Sequence, residues 1–198
     1  MVGLPHVLLV KGLGLRLRGN IVPDTETVIG PYDTLPAMCL DYDPRAPDVA
    51  ERVGLLIRTQ LPEVRVEHIG STAVPGLCGK GIIDLMIAYP EGRLEDVKAV
   101  LDALGFQRQS TRDPFPEDRP MRVGSLQHDS RTFQFHVHVI AGSSPETRML
   151  RDFRDCLRAD PALRSAYVTR KRQIIAEGIV DSVEYCERKG EFIAPYTE

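Results

Sequence analysis

The sequence predicts a mixed α/β (α+β) domain, and three observations carry that expectation. Short segments in which apolar residues alternate or run together, "VRVEHIG", "GIIDLMIAY", "MRVGSLQ" and "RTFQFHVHVI", read as strands. Between the first two and the last two, Leu94, Val97, Val100, Leu101 and Leu104 recur at helical spacing, so a helix interrupts the strands. From Ser144 onward the helical period takes over, which gives a helical C-terminal segment. At 198 residues, 42% apolar and 27% charged, the composition suits one globular domain with an appendage and excludes disorder, coiled coil and collagen. Twenty-five Lys plus Arg against 28 Asp plus Glu leave a net charge of −3, so field-driven nucleic-acid binding is not expected.

The elements follow in order. Residues 1–36 form an N-terminal extension or β arm, because Leu13, Leu15 and Leu17 alternate with Gly14, Arg16 and Arg18 before a Gly19-Asn20 turn. Such an arm could add a strand to the sheet or to a neighbouring subunit, so a homo-oligomer is a possible assembly. The main domain spans 37–198. Asp43-Pro44 offers an N-cap and a first-turn proline, and Val49, Val53, Leu56 and Ile57 predict a helix over about 44–60, ended before Pro62. "VRVEHIG" then runs into Gly70-Ser71, and the continuous "GIIDLMIAY" is a strand buried on both faces. Gly105 stops the next helix, and two strands meet at a His128-Asp129-Ser130 turn. Ser144-Pro145, Asp160-Pro161 and the Asp181–Glu184 capping box open three helices.

Chemistry concentrates between residues 68 and 84. A strand ends at Ile69, a small-residue turn supplies Gly70, Ser71 and Thr72, Lys80 follows, and a carboxylate, Asp84, sits inside an apolar strand. Gly70 allows close backbone approach, Ser71 donates from N–H and hydroxyl, and Lys80 adds a point charge, which together suit a phosphate. A buried carboxylate is costly unless paired or bound to a cation, so Asp84 is a site residue. His136 and His138 share one face of their strand and offer nitrogen ligands, with His68 a further candidate. The line "QFHVHVI" also approaches that of histidine-triad hydrolases, with Gln134 at the first His, but nothing upstream supports that fold. Four scattered cysteines without a C-x-x-C pair point to buried thiols in a reduced, cytoplasmic protein, and no export signal or membrane span is expected.

These residues, with "DYDPR" at 41–45, "VEHIGSTAVPGL" at 66–77, "IIDL" at 82–85, "HVHVI" at 136–140, "FRDCLRADP" at 153–161 and "YCERKGEFI" at 185–193, resemble the GrpB family, over roughly residues 41 to 193. The resemblance implies a mixed β-sheet of nucleotidyltransferase (DNA polymerase β-like) type flanked by helices. It implies a nucleotide or phosphorylated small molecule held at Gly70, Ser71, Thr72 and Lys80, with a divalent metal on carboxylates. The superfamily pattern wants a second carboxylate at residue 86, where this chain has Met86. A thioether is a poor Mg²⁺ ligand, so an Asp84, His136 and His138 set would favour Mn²⁺, Zn²⁺ or Fe over Mg²⁺. Asp84 and Arg154 are the expected catalytic residues of nucleotidyl or phosphoryl transfer, Arg154 pointing into the cleft and Lys189 a second cation. The other tail cations, Arg151 and Lys171 among them, are expected mostly in solvated pairs with interleaved aspartates. The alternative is a noncatalytic ligand-binding or accessory domain that has lost its second metal carboxylate. The family's association with dephospho-coenzyme A kinase also suggests a coenzyme A-related ligand.

Overall fold

A computed structural model describes residues 28–194. The hairpin expected at Leu13 to Asn20 lies outside the described residues. Among those described, no helix is long and apolar enough to cross a membrane.

A five-stranded mixed sheet is the frame, with spatial order β1-β2-β5-β4-β3. Its strands are β1 (Arg65–Ile69), β2 (Ile83–Tyr89), β3 (Gln107–Arg108), β4 (Met121–His128) and β5 (Arg131–Ala141). Only β2 and β5 run parallel, and the remaining neighbours are antiparallel. The β4–β5 hairpin turns at Asp129 and Ser130, which take φ values of 46° and 60°, the left-handed pair that a two-residue hairpin loop demands. The two-residue β3 carries no periodicity and is absent from the sequence expectation.

Alternation divides the sheet chemically. Ile83, Leu85 and Ile87 of β2, with Phe133, Phe135, Val137 and Val139 of β5, form one face. Helices α1 (Ala46–Gln60) and α2 (Leu94–Ala103) cover it with Val49, Val53, Ile57, Val97 and Leu101, all fully buried. Each such aliphatic side chain contributes roughly 1.5–3 kcal/mol of burial. Helix α1 starts two residues later than expected. The Asp43 carboxylate accepts from Arg45 N at 3.0 Å, as a cap would, and also pairs with the side chains of Arg45 and Arg131.

The opposite face carries Asp84, Met86, His136, His138 and Ile140. Helix α3 (Pro145–Ala159) seals the Met86 end, where Ile69, Met86, Ile140 and Leu150 pack together. Helices α4 (Pro161–Ala176) and α5 (Ser182–Ile193) follow, and their caps are those expected. Ser144 accepts from Glu146 N, Asp160 from Ala162 and Leu163 N, and Asp181 from Val183 and Glu184 N. Tyr167, Leu157 and Phe153 pack with Phe192, as core-like spacing implied.

Residues 28–44 form a strap across this second face. Ile29 enters the main core, and Gly30 exchanges two backbone hydrogen bonds with Ser125 of β4, 2.8 and 3.0 Å long. Ala37 donates to the Val180 carbonyl and packs among Ile174, Ile179 and Tyr185. Leu40 pairs with Gly79, and a disulfide joins Cys39 to Cys78. That bond corrects the expectation of four reduced, buried thiols. The two free cysteines differ as well, since Cys156 and Cys186 are exposed.

Candidate functional site

Between the second face of the sheet, the strap and α5 lies a cavity of about 500 Å³. Asp84, His136 and His138 lie at the sheet, Tyr32 projects from the strap, Ser71 and Lys80 come from the turn and the segment after it, and Lys189 comes from α5. The sequence had grouped Ser71, Lys80, Asp84 and the two histidines, and the fold brings these five to one cavity.

Strand register explains the acidic end. Asp84 pairs laterally with His136 on β5, and His138 stands two residues further along the same face. The Asp84 Oδ1 lies 3.4 Å from His136 Nδ1 and 3.7 Å from His138 Nε2. Burial pushes the Asp84 carboxyl up, but hydrogen bonding and charge from the two imidazoles win and hold it well below the usual carboxylate range. Burial lowers His138, with Asp84 opposing. Gly70 closes over this carboxylate with φ 71° and ψ −168°, and a Cβ there would reach 2.9 Å from Asp84 Cγ. Its role is thus to let the backbone pass Asp84.

The outer nitrogens of the histidines are engaged differently. Tyr32 Oη lies 2.9 Å from His136 Nε2, and burial, aided by Asp84, pushes the Tyr32 phenol up to about 12. A phenol both donates and accepts, so either His136 tautomer is served. Arg119 donates to His138 Nδ1 at 3.2 Å while it pairs with Glu146 and stacks over Phe115 at 4.6 Å. A guanidinium only donates, so neutral His138 carries its proton on Nε2, facing Asp84.

This decides the fit to a divalent cation. The ligand atoms of Asp84, His136 and His138 lie within 4.8 Å of one another, close enough for one ion. Asp84 and His136 fit that role. His138 does not fit while Arg119 occupies Nδ1, because a metal at Nε2 would move its proton against the guanidinium. Arg119→Met is expected to release the His138 tautomer and to raise Zn²⁺ affinity by about tenfold. Long-range ¹H–¹⁵N correlation of the imidazole, with calorimetric Zn²⁺ titration, checks both. An Nε2–H tautomer that persists in the variant would refute Arg119 as its cause.

The cations divide into those at the cavity and those behind it. Lys80 Nζ donates to Ser182 at 3.3 Å, and burial lowers its pKa. Burial works against the Lys189 ammonium too, yet the fields of Tyr167, Cys186, Tyr185 and Asp84 raise it above the ordinary lysine value. Lys171 was expected among solvated tail cations and is instead buried, 1% exposed, donating to Ser71 Oγ at 3.2 Å and to the Cys78 carbonyl.

Three expected site residues stand elsewhere. Arg154 points not into the cavity but at β1, bonding Glu67 and the His68 carbonyl beside its own pair with Asp155. Arg151 joins it on Glu67, so these two arginines hold α3 to the sheet edge, Arg154 keeping its pair with Asp155 as well. Thr72 is buried, its hydroxyl donating to the Ile82 carbonyl at 3.1 Å and lying 2.9 Å from His68 Nε2. His68 is thereby spent on Thr72, and burial pushes it down to about 4. Tyr32 and Arg119, by contrast, were not among the expected site residues. Each meets its histidine through contacts that no local pattern marks, 104 residues apart in the case of Tyr32.

A mixed sheet with a Gly-Ser turn over a strand carboxylate is the arrangement the GrpB resemblance implied, and the GrpB protein family profile matches residues 36–198. The chain belongs to that family. It is 33% identical over 178 residues to the UPF0157 protein SCO7215 of Streptomyces coelicolor, covering 88% of this chain and 91% of that one. It is 30% identical over 158 residues to a dephospho-CoA kinase of Mycobacterium bovis, covering 69% of this chain and 39% of the kinase. The crystal structure of GrpB from Enterococcus faecalis superposes with a TM-score of 0.56 at 23% identity, covering 81% of this chain and all of that one. The chain shares the fold of that GrpB structure.

Proposed function

We propose that the cavity binds a nucleotide or phosphorylated small molecule together with a divalent cation, and that it supports nucleotidyl or phosphoryl transfer. One observation carries this reading: a carboxylate and an imidazole suited to a cation face the same cavity as Ser71, Lys80 and Lys189, which suit phosphate oxygens. Asp84 and His136 hold the cation, Mn²⁺ or Zn²⁺ in preference to Mg²⁺. When bound, the cation polarises the phosphoryl oxygens and offsets charge developing on them. His138, fixed by Arg119, orients Asp84. Ser71 donates to a phosphate, and Lys80 and Lys189 neutralise its charge, so the electrostatic role expected of Arg154 passes to Lys189.

A noncatalytic, ligand-binding domain is the second reading, favoured by one observation. Met86, at the place of a second metal carboxylate, is fully buried beneath Leu150 and does not reach the cavity. Release of pyrophosphate or transfer to water separates the two readings, since only the first predicts turnover.

The binding test is a thermal-shift screen of the four ribonucleoside triphosphates and dephospho-coenzyme A, each with Mg²⁺, Mn²⁺ or Zn²⁺. The coenzyme A precursor is included because one relative is a dephospho-CoA kinase. A ligand at a hundred times its Kd stabilises by about 2.7 kcal/mol, several degrees in a domain of this size. Asp84→Asn is expected to lose the metal-dependent part of the shift. Equal shifts for wild type and variant would remove the cation from this site, and the absence of any shift would remove the ligand.

A further inference from the structure

The environment of Lys171 is incomplete in charge. Its ammonium is buried between α4, the Ser71 turn and the loop at Cys78, over the Tyr167 ring at 4.5 Å. Its hydrogen bonds go to neutral oxygens, and the charged group acting on it is another cation, Lys189 of α5. Among the described residues no carboxylate pairs with it. Burying a lone cation is costly unless something supplies the opposite charge, and the one polar contact of Lys171 that faces the cavity is the Ser71 hydroxyl.

We infer that Lys171 is a positioning residue for an anionic ligand. It fixes the Ser71 hydroxyl from behind, and its charge becomes fully compensated only when a phosphate oxygen rests on Ser71. The ligand class is therefore a phosphate-bearing anion, and its binding takes up a proton on Lys171. This inference rests on the phosphate-binding reading of the cavity. Burial supports it by pulling the Lys171 ammonium down to about 7, with Lys189 acting in the same direction, so the empty site holds a mixture of charged and neutral lysine near neutrality. The groups around it are Ser71 on the turn, the Cys78 carbonyl on the loop, Tyr167 on its own helix and Lys189 on α5.

The sign follows from linkage. Bound anion favours charged Lys171, so affinity falls as pH rises above 7, by up to about tenfold per pH unit for one coupled proton. The probe is ATP at constant Mn²⁺, titrated calorimetrically at pH 7.5 and 9.0, where its charge is constant. Wild type is expected to weaken about tenfold or more over that interval and to take up a proton, read from two buffers of different ionisation enthalpy. Lys171→Met is expected to bind about tenfold more weakly at pH 7.5 and to lose the pH dependence, whereas Lys80→Met weakens binding yet keeps it.

The unliganded protein gives a second readout. The unfolded chain holds the Lys171 proton to higher pH than the folded one, so wild-type Tm contains a component that rises from pH 7 to 9 and vanishes in Lys171→Met. Equal pH slopes of ATP binding in wild type and Lys171→Met would overturn the inference while leaving the cavity's ligand in place. Failure of wild type to bind ATP at either pH would overturn the inference together with the nucleotide reading of the cavity.

Discussion

Gly70→Ala is expected to destabilise the protein by on the order of 4 kcal/mol and to abolish whatever the cavity binds. Two independent costs combine. The backbone at residue 70 has φ 71° and ψ −168°, a region open essentially to glycine alone, and forcing alanine into it costs about 1–3 kcal/mol. The added methyl also overlaps Asp84, lying 3.0 Å from its Cβ, and overpacking a filled site costs about 1–3 kcal/mol more. Relief requires either the turn to lift or Asp84 to rotate away from His136 and His138. Urea denaturation measures the first consequence and ligand-induced thermal shift the second. A variant as stable as wild type would mean that the turn does not press on Asp84.

Reduction of the Cys39–Cys78 bond is expected to cost about 4 kcal/mol, the entropy of reopening a loop whose ends are 39 residues apart. The effect reaches function because the bond fastens the strap to the segment that carries Lys80. Other fastenings near this point are the Leu40–Gly79 pair, the Ala37 bond to the Val180 carbonyl and the Ser182 bond to the Leu35 carbonyl. Urea midpoints with and without a dithiol reductant check the energy, and Cys39→Ser in oxidising buffer controls for Cys156 and Cys186. Identical midpoints would show that the other strap contacts hold it without the disulfide.

The legible part of the molecule was the part written locally. Proline after Ser144, Asp160 and Asp181's two-amide cap announce three helices within a residue or two, because capping is decided by neighbours in sequence. Alternation likewise placed Asp84 on the face opposite Ile83 and Leu85, and His136 with His138, since a strand's period is 2 whatever it packs against. What escaped was partnership between distant segments. Arg154 and Lys171 look alike in a helical tail rich in cations. Only the packing of α3 on β1 and of α4 behind Ser71 turns one into a brace for Glu67 and buries the other. Tyr32 was hidden for the same reason, inside a stretch read as an arm separate from the domain.

The strap and α5 together have a consequence for the timing of function. Tyr32 lies near the first described residue and Lys189 near the last, yet both wall the same chamber. A ribosome delivering this chain therefore releases the Gly-Ser turn and Asp84 before the lysine that faces them, so that wall of the chamber is complete only after α5 emerges.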